Sequence, residues 1–220
     1  MTKELKFIAL KLPRLFWGFF IISTGVTLML TADLGMNPWG TLHSGIASMT
    51  GITFGQASQL TGITIIMIGL LIKVYPGIST ILNMYFIGFF VDLINGLQII
   101  PHYNYFPAQF VELLLGLLLF SYGLYIYLSC GLGAGPRDGL MVGLMRISGL
   151  SASYIKPTIE LSAIAAGYFL GGKVGIGTVL VALSGGYIVN RIFKFYQFDP
   201  KKTQQLNLYD HIKAIQATES

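Results

Sequence analysis

The sequence predicts an all-α membrane protein, a polytopic helical bundle of two homologous halves. Of its 220 residues, 54% are apolar and only 10% are charged, whereas a soluble domain has about 25% charged residues. Several apolar stretches approach or exceed the ~20 residues that a helix needs to cross the hydrocarbon core of a bilayer. A motif that recurs at a constant offset then divides the chain in two. We therefore expect the lipid bilayer as the environment of this protein.

The recurring motif is a glycine-proline turn. Leu34-Gly-Met-Asn-Pro-Trp-Gly40 is followed, 98 positions later, by Leu132-Gly-Ala-Gly-Pro-Arg-Asp138. The same offset, without a gap, aligns further glycines and a Gly-Ile-x-Thr-x-Leu string that begins at Gly77 and again at Gly175. Chance agreement in composition would need many independent glycine coincidences in one register. We interpret the chain as an internal duplication.

The predicted elements divide the chain into five parts. A short basic amphipathic segment, which we expect on the inner membrane surface, precedes the first repeat, and a polar tail follows the second. An uncharged loop joins the repeats. The five parts are residues 1–14, 15–97, 98–107, 108–193 and 194–220.

Each repeat contains three predicted spans and one short segment that follows its glycine-proline turn. The spans are expected at 15–32, 55–72 and 78–97 in the first repeat and at 108–129, 152–170 and 175–193 in the second. The short segments, at 38–49 and 136–147, have about a dozen residues. A helix of that length covers roughly 18 Å, about half a bilayer.

The short segments either dip into the membrane and return, or cross it. Dipping gives three spans per half and inverted halves, whereas crossing gives four spans and parallel halves. With the N-terminus inside, dipping leaves only Lys173 of the 14 lysines and arginines outside, whereas crossing also places Lys73 and Arg137 there. The positive-inside tendency favours dipping. We expect six spans, two re-entrant half-helices, and cytoplasmic N- and C-termini.

The paired turns are the candidate binding site. Proline suits the first position of a helix, and the preceding glycines permit a sharp turn, so each turn should start a helix. A helix N-terminus inside the membrane presents unpaired N–H groups and a partial positive charge. Short helices at equivalent places in inverted halves are typical of transporter binding sites. The alternative is that the glycines only permit tight helix packing. The candidate residues are Asn37, Pro38, Pro136, Arg137 and Asp138.

The two ionisable candidates of the second turn also allow simpler interpretations. Asp138 complements the dipole of its half-helix, and Arg137 either pairs with Asp138 or binds an anion. Equally, Asp138 is only a cap and Arg137 only a cytoplasmic positive charge.

Glu160 is the sixth candidate, because it falls within the predicted span 152–170. An ionisable residue inside a membrane segment is costly and indicates function by default, here a proton or cation site. The alternative is an ion pair with Lys156, four residues earlier on the same helix.

Other classes of function find little support in the sequence. The single cysteine, Cys130, excludes an internal disulfide and makes a cysteine-based metal cluster implausible. No motif combines a nucleophile with a base, so we expect no enzyme and no cofactor. Basic residues are scattered at span ends without interleaved aromatic residues, which argues against nucleic acid as a partner.

Two functions remain. The first is a small-solute permease or channel, which binds a small solute or ion at the paired turns. The second is a non-transporting scaffold or accessory protein that binds a protein partner, for example through the tail 194–220. Transport predicts a polar cavity that reaches the turns, whereas a scaffold predicts a dry, fully packed interface between the halves.

The two turn motifs, the second extended to Gly131-Leu-Gly-Ala-Gly-Pro-Arg-Asp-Gly-Leu140, resemble those of the YczE/YyaS/YitT family of bacterial membrane proteins. The resemblance covers nearly all of residues 14–194, and Gly-Pro-Arg-Asp-Gly-Leu is its most specific part. It implies a protein of the bacterial plasma membrane with about five spans. It implies no catalytic residues.

Overall fold

The computed structural model describes residues 3–200, 202–203 and 205–210. Residues 3–200 form eight α-helices and contain no strand, so the all-helical fold class is confirmed. The helices are α1 (Lys3–Thr31), α2 (Pro38–Thr50), α3 (Phe54–Leu71), α4 (Ile78–Gly96), α5 (Phe106–Leu128), α6 (Pro136–Ser148), α7 (Ala152–Phe169) and α8 (Ile176–Phe195).

Five helices among the described residues are long and apolar enough to cross a membrane, and they correspond to five of the six expected spans. They are Lys6–Thr31, Phe54–Leu71, Ile78–Gly96, Phe106–Leu128 and Ile176–Phe195. The expected span at 152–170 does form a helix, α7, but its polar residues make it less apolar than the others. Five apolar helices agree with what the family resemblance implies.

The first helix differs from the expectation at its start. The sequence predicts a separate amphipathic segment that ends near Pro13, but α1 runs through Pro13 without a break. Lys11 Nζ donates to Cys130 O at 2.6 Å, which ties this part of α1 to the end of α5. Proline is tolerated inside membrane helices because neighbouring groups satisfy the backbone that it frees.

The half-helices α2 and α6 have matching bounds. Each begins at the proline of its turn and has 13 residues. Each ends at a glycine in the left-handed region, Gly51 with φ 75° and Gly149 with φ 71°. Such a C-terminal glycine stops a helix without steric cost. The short segments of the sequence are therefore two equivalent helices of under four turns.

The core of the bundle is the contact between α1 and α5, which run antiparallel. Gly25 packs against Gly116, and Gly18 packs against Tyr127. A Cβ atom added to Gly25 would lie 2.6 Å from Gly116 O, so the two backbones touch directly. α1 and α5 occupy equivalent places in the two predicted repeats, and their opposite directions are those that an inverted arrangement requires.

Both half-helices return to the end of the bundle at which they start. The loop 97–105 marks one end, the seam end, where α1 and α4 stop and α5 starts. Thr53 directly follows α2 and donates to the Asp92 side chain near the end of α4, so the chain also leaves α2 at the seam end.

At the opposite end, called the tail end, α5 stops and α6 starts. Arg146, in the last turn of α6, donates to Ile72 O at the end of α3, so the chain leaves α6 at the tail end as well. From there α7 runs to the seam end, where Lys173 Nζ lies 2.7 Å from Asp33 Oδ1. This path is the one expected of a sixth span, and the number of membrane crossings stays a prediction.

Replacing Gly25 by alanine tests the close contact between α1 and α5. The added methyl group would lie 2.5 Å from Phe120 N, so the helices must separate. Overpacking of this kind costs about 1–3 kcal/mol. We expect the melting temperature in detergent to fall by about 2–4 °C per kcal/mol.

Gly186→Ala is the matched control, because it makes the same change inside α8 where no atom lies within 4 Å. It should leave the melting temperature unchanged or raise it slightly, since alanine favours a helix over glycine by about 1 kcal/mol. Equal destabilisation by both substitutions would contradict direct backbone contact at Gly25.

Cysteine labelling of intact cells tests the orientation of the halves. In a Cys130→Ser background, single cysteines at Lys73, Tyr103 and Lys173 report on exposed positions at both ends of the bundle. We expect a membrane-impermeant maleimide to label positions 103 and 173 from outside and position 73 only after permeabilisation. Labelling of position 73 from outside would instead support parallel halves.

Candidate functional site

A cavity of about 490 Å³ lies where the two glycine-proline turns meet. It is bounded by the half-helices and by parts of α1, α3, α4, α5, α7 and α8. All six residues proposed from the sequence line this one cavity: Asn37, Pro38, Pro136, Arg137, Asp138 and Glu160. The structure thus brings together residues that are up to 123 positions apart (Asn37 to Glu160).

Each turn is held by the opposite repeat. Gly177 N donates to Leu34 O at 2.7 Å, and Ser79 N donates to Leu132 O at 2.8 Å. These four residues are pairwise equivalent at the 98-residue offset, so the two hydrogen bonds are reciprocal. The first turn therefore docks on the start of α8, and the second docks on the start of α4.

Glycine is required in both turns for two reasons. Gly35 and Gly133 have φ values of 97° and 117°, which L side chains rarely adopt. A Cβ atom on Gly35 would also lie 2.5 Å from Thr178 Oγ1, and one on Gly133 would lie 2.7 Å from Gly77 Cα. The glycine of each Leu-Gly pair is therefore required, both because its φ is positive and because a Cβ atom would have no room.

The starts of the two half-helices differ in chemistry. Asn37 Oδ1 accepts from Gly40 N at 2.8 Å and caps α2. Gly135 occupies the corresponding position before α6 and offers no capping side chain. Its own N–H donates to the Tyr127 hydroxyl at 3.1 Å. Pro136 has no N–H, and the N–H groups of Asp138 and Gly139 donate to Gly135 O, so the N–H of Arg137 is the one at the start of α6 that the N-cap residue leaves uncapped.

Arg137 reaches across to the other half-helix. Its Cζ lies 4.7 Å above the centre of the Trp39 ring, and its Nη2 lies 3.5 Å from His43 Nε2. Trp39 and His43 are one helical turn apart on α2. The guanidinium therefore binds an aromatic face and an imidazole of the opposite repeat, and the ion pair between Arg137 and Asp138 considered above is not formed.

His43 is buried and serves as the acceptor in this contact. Arginine can only donate, so Nε2 of His43 must carry no proton. The imidazole ring also packs edge-on against Phe54, with 5.4 Å between the ring centres. A neutral histidine at this place lets the cationic Arg137 approach the first half-helix without charge repulsion.

The position of Glu160 agrees in part with each of its two interpretations, an ion pair with Lys156 and a functional site. Its Oε1 lies 3.9 Å from Lys156 Nζ, so the pair within α7 exists. The two side chains are 36% and 61% exposed, and an ion pair so accessible contributes little to stability. Both side chains nevertheless line the cavity. The polar face of α7 thus borders the candidate site.

A gap between α7 and α8 opens the cavity, whereas α3 and α4, the equivalent helices of the first repeat, are in contact. In the first repeat, a Cβ atom on Gly55 would lie 2.1 Å from Gly88 O, so α3 and α4 touch. Gln59 Nε2 also donates to Tyr85 O at 3.0 Å. In the second repeat, a Cβ atom on Gly186 would meet no atom of another helix within 4 Å. The two repeats therefore hold the same helices in different positions.

Part of the tail lies across the second turn. Leu206 N donates to Gly131 O at 3.1 Å, and Leu208 N donates to Pro76 O at 3.0 Å. Gly133 N donates to Gln205 Oε1 at 3.3 Å. Residues 205–208 are thus bound to their own chain, and residues 211–220 of the expected partner-binding tail lie outside the described residues.

Three neighbours of the site, Trp39, His43 and Tyr127, were not among the residues predicted from the sequence. The offset did contain a signal for the stack of Arg137 on Trp39, because these two residues stand 98 positions apart.

Comparisons with known proteins agree with the helical membrane architecture. A model described as a family of unknown function (DUF6198) matches residues 10–194. A Haemophilus influenzae relative described as "Uncharacterized protein" is 35% identical over 175 residues, which are 80% of this chain and 79% of the relative. The Bacillus subtilis "Uncharacterized membrane protein YczE" is 35% identical over 176 residues, with 79% and 81% covered.

A second Bacillus subtilis relative, "Uncharacterized protein YyaS", is 23% identical over 177 residues, which are 79% of this chain and 87% of the relative. No solved structure matches the chain. The family match extends over the whole helical bundle, from α1 to α8. The chain therefore belongs to the DUF6198 family and is a homologue of YczE and YyaS.

Proposed function

We propose that this membrane protein is a small-solute permease whose binding site is the cavity between the paired turns. One observation carries the proposal: two half-helices, each of which follows a glycine-proline turn, start at one cavity whose lining includes charged residues. Interrupted or short helices that meet at the interface of inverted repeats form the binding sites of many secondary transporters. The proposed place of action is the bacterial plasma membrane, with both chain termini in the cytoplasm.

The lining of the cavity suits a small polar solute that carries an anionic group. Arg137 offers a positive charge and the N–H donors of its guanidinium group, and its backbone N–H lies at the uncapped start of α6. Glu160 and Lys156 lie on another wall and offer an ion pair that is weak enough to exchange partners. A volume of about 490 Å³ falls within the usual range of about 300–1,000 Å³ for small-molecule sites.

The difference between the two repeats suggests how access changes. Here α3 packs on α4 while α7 stands away from α8. In the opposite state of an inverted-repeat transporter, the repeats exchange conformations. The proposal therefore requires a second state in which α7 packs on α8. Ser153 and Gly186, the counterparts of Gly55 and Gly88, are both small enough for helices to approach there.

The scaffold function has less support from the geometry. It predicts a dry, packed interface between the halves, whereas the turns border a cavity with charged residues. The part of the tail at 205–208 uses its backbone groups on the second turn instead of offering them to a partner. A permease explains both the cavity and the placement of Arg137 and Glu160.

Osmotic measurements on proteoliposomes test the proposal. Vesicles are shrunk with potassium chloride, glycine, glycerol or glucose, and re-swelling is followed by light scattering. We expect wild-type protein to accelerate re-swelling for at least one of these solutes. Arg137→Gln should reduce that acceleration at least tenfold, because loss of one charge-assisted contact weakens binding by about 1.5–3 kcal/mol.

Arg191→Gln is the matched control for Arg137→Gln. It removes an arginine charge from an exposed position of α8 that does not line the cavity, where Nε donates to the Tyr187 hydroxyl. It should retain most of the flux. Wild-type vesicles that re-swell no faster than empty ones with all four solutes would contradict the permease proposal and favour the scaffold.

A cross-link tests the required second state. In a Cys130→Ser background, Ser153→Cys and Gly186→Cys should form a disulfide on oxidation, because the proposed packing brings Cα atoms within about 4.4–6.8 Å. Loss of reactivity toward a polyethylene-glycol maleimide measures the bond, and flux in proteoliposomes should stop until a reductant is added. Each single cysteine serves as a control and should stay reactive. A pair that never forms the bond contradicts the exchange of conformations.

A further inference from the structure

A second buried acidic group, Glu112, lies outside the cavity of the paired turns. It belongs to the second turn of α5, inside a helix that is apolar enough to cross a membrane. Its side chain packs between helices and only 4% of the residue is exposed. A carboxylate isolated from water is so costly that such a group either pairs with a positive charge or carries a proton.

The hydrogen bonds of Glu112 indicate whether it pairs with a positive charge or carries a proton. Oε1 of Glu112 contacts the Thr31 hydroxyl at the end of α1. The same hydroxyl lies 2.9 Å from Thr27 O and 3.1 Å from Leu28 O, both of which can only accept. A hydroxyl has one hydrogen. If that hydrogen bonds the carbonyl oxygens of α1, the hydrogen between Thr31 and Glu112 must belong to the carboxyl group.

The rest of the surroundings offers Glu112 no ion pair. Oε2 has no hydrogen-bond partner among the described residues. The titratable group whose charge acts on this carboxyl is His102, in the loop at the seam end. Of the other charged groups at that end, Asp33 and Lys173 bind each other at 2.7 Å, and Asp92 on α4 accepts from Thr53 and from Gly55 N. The remaining polar residues there, on α1, α4 and the start of α8, are neutral: Thr27, Thr31, Asn95 and Thr178.

A small polar cavity connects this place with the seam end. It has a volume of about 170 Å³, enough for several waters, which each take about 30 Å³. Its wall includes Thr31, the partner of Glu112, and also Thr27, Asn95, Gln98 and His102. A chain of polar groups therefore leads from the buried carboxyl to the exposed loop.

We propose that Glu112 is a proton-binding site that exchanges its proton with the seam end through Thr31 and this cavity. On release, the O–H bond of the Glu112 carboxyl breaks, and the proton passes to water in the cavity or to the imidazole of His102. Thr31 then turns its hydrogen from the carbonyl oxygens of α1 to Oε1. The carboxylate keeps one hydrogen bond, and no other reactant is needed.

Exchange at Glu112 acts on the last turn of α1. When Glu112 is protonated, the Thr31 hydroxyl donates to Thr27 O within the last turn of α1. When Glu112 is ionised, the hydroxyl gives up that hydrogen bond and donates to the carboxylate instead. Three residues later Leu34 O accepts the hydrogen bond that docks the first turn on α8. The proton site thus adjoins the chain segment that positions the start of α2. The proposal does not depend on the proposed permease function.

Infrared spectroscopy of the purified full-length protein in lipid nanodiscs tests this assignment. At about pH 7, well above the ordinary glutamate pKa of about 4.3, wild-type protein should show the C=O stretch of a protonated carboxyl group. The difference spectrum against Glu112→Gln should contain one such group per chain, and it should disappear as the pH is raised. Glu160→Gln is the matched control and should leave that band in place.

Two further variants separate a proton site from a packing residue. Thr31→Val keeps Glu112 but removes its hydroxyl partner, so the band should move in frequency without loss of intensity. His102→Asn removes the imidazole that accepts the proton, so after a jump to high pH the band should disappear more slowly from the same starting intensity. These two variants decide the question even where Glu112→Gln does not fold. Absence of a band that responds to these changes, or a band that persists at every pH, would overturn the proposal.

Discussion

Direct backbone contact between α1 and α5 is the constraint on which the rest of the structure depends. In lipid, helices gain nothing from hiding apolar side chains from one another, so close approach at small residues takes the place of the hydrophobic effect. Gly25 meets Gly116, and the equivalent Gly123 meets Gly18. Gly18 and Gly116, like Gly25 and Gly123, stand 98 positions apart, so the two contacts are the same contact made twice with the residues exchanged. The two turns dock on the opposite halves of the chain in the same exchanged way.

Contacts between the two halves also provide hydrogen-bond partners for the irregular backbone inside the bundle. Within a membrane, the N–H and C=O groups of a turn must find partners in the protein. The first turn finds its partner in α8 through Leu34, and the second finds its partner in α4 through Leu132. Each repeat therefore completes the hydrogen bonding of the other. The half-helices that start from these turns are brought face to face, and Arg137 stacks on its own equivalent, Trp39.

Much of this arrangement could be predicted from the sequence, because glycine and proline record backbone geometry. Pro38 and Pro136 predicted the first residues of both half-helices, and the offset predicted their equivalence. The cavity residues followed from the turns. Glu112 was missed because it is a single acidic residue near the start of an apolar stretch, where a solvent-exposed position is the simpler expectation. Only the packing of Thr31 against it reveals its burial, and the sequence carries no mark of that contact. The path of the tail over the second turn likewise rests on backbone hydrogen bonds that no residue type specifies.

The two repeats have similar backbones but different charges, so the charged groups of the site lie on one side of it. All the formally charged residues that line the cavity, Arg137, Asp138, Lys156 and Glu160, come from the second repeat. Their counterparts Trp39, Gly40, Ser58 and Gly62 are neutral. Gly62 packs against Met84, whereas Glu160 would bring a carboxylate into the equivalent contact between α7 and α8. Burying that carboxylate is costly unless it is paired or neutral. Closing the cavity between α7 and α8 therefore requires a partner for Glu160, such as a bound solute, the Lys156 ammonium group or a proton.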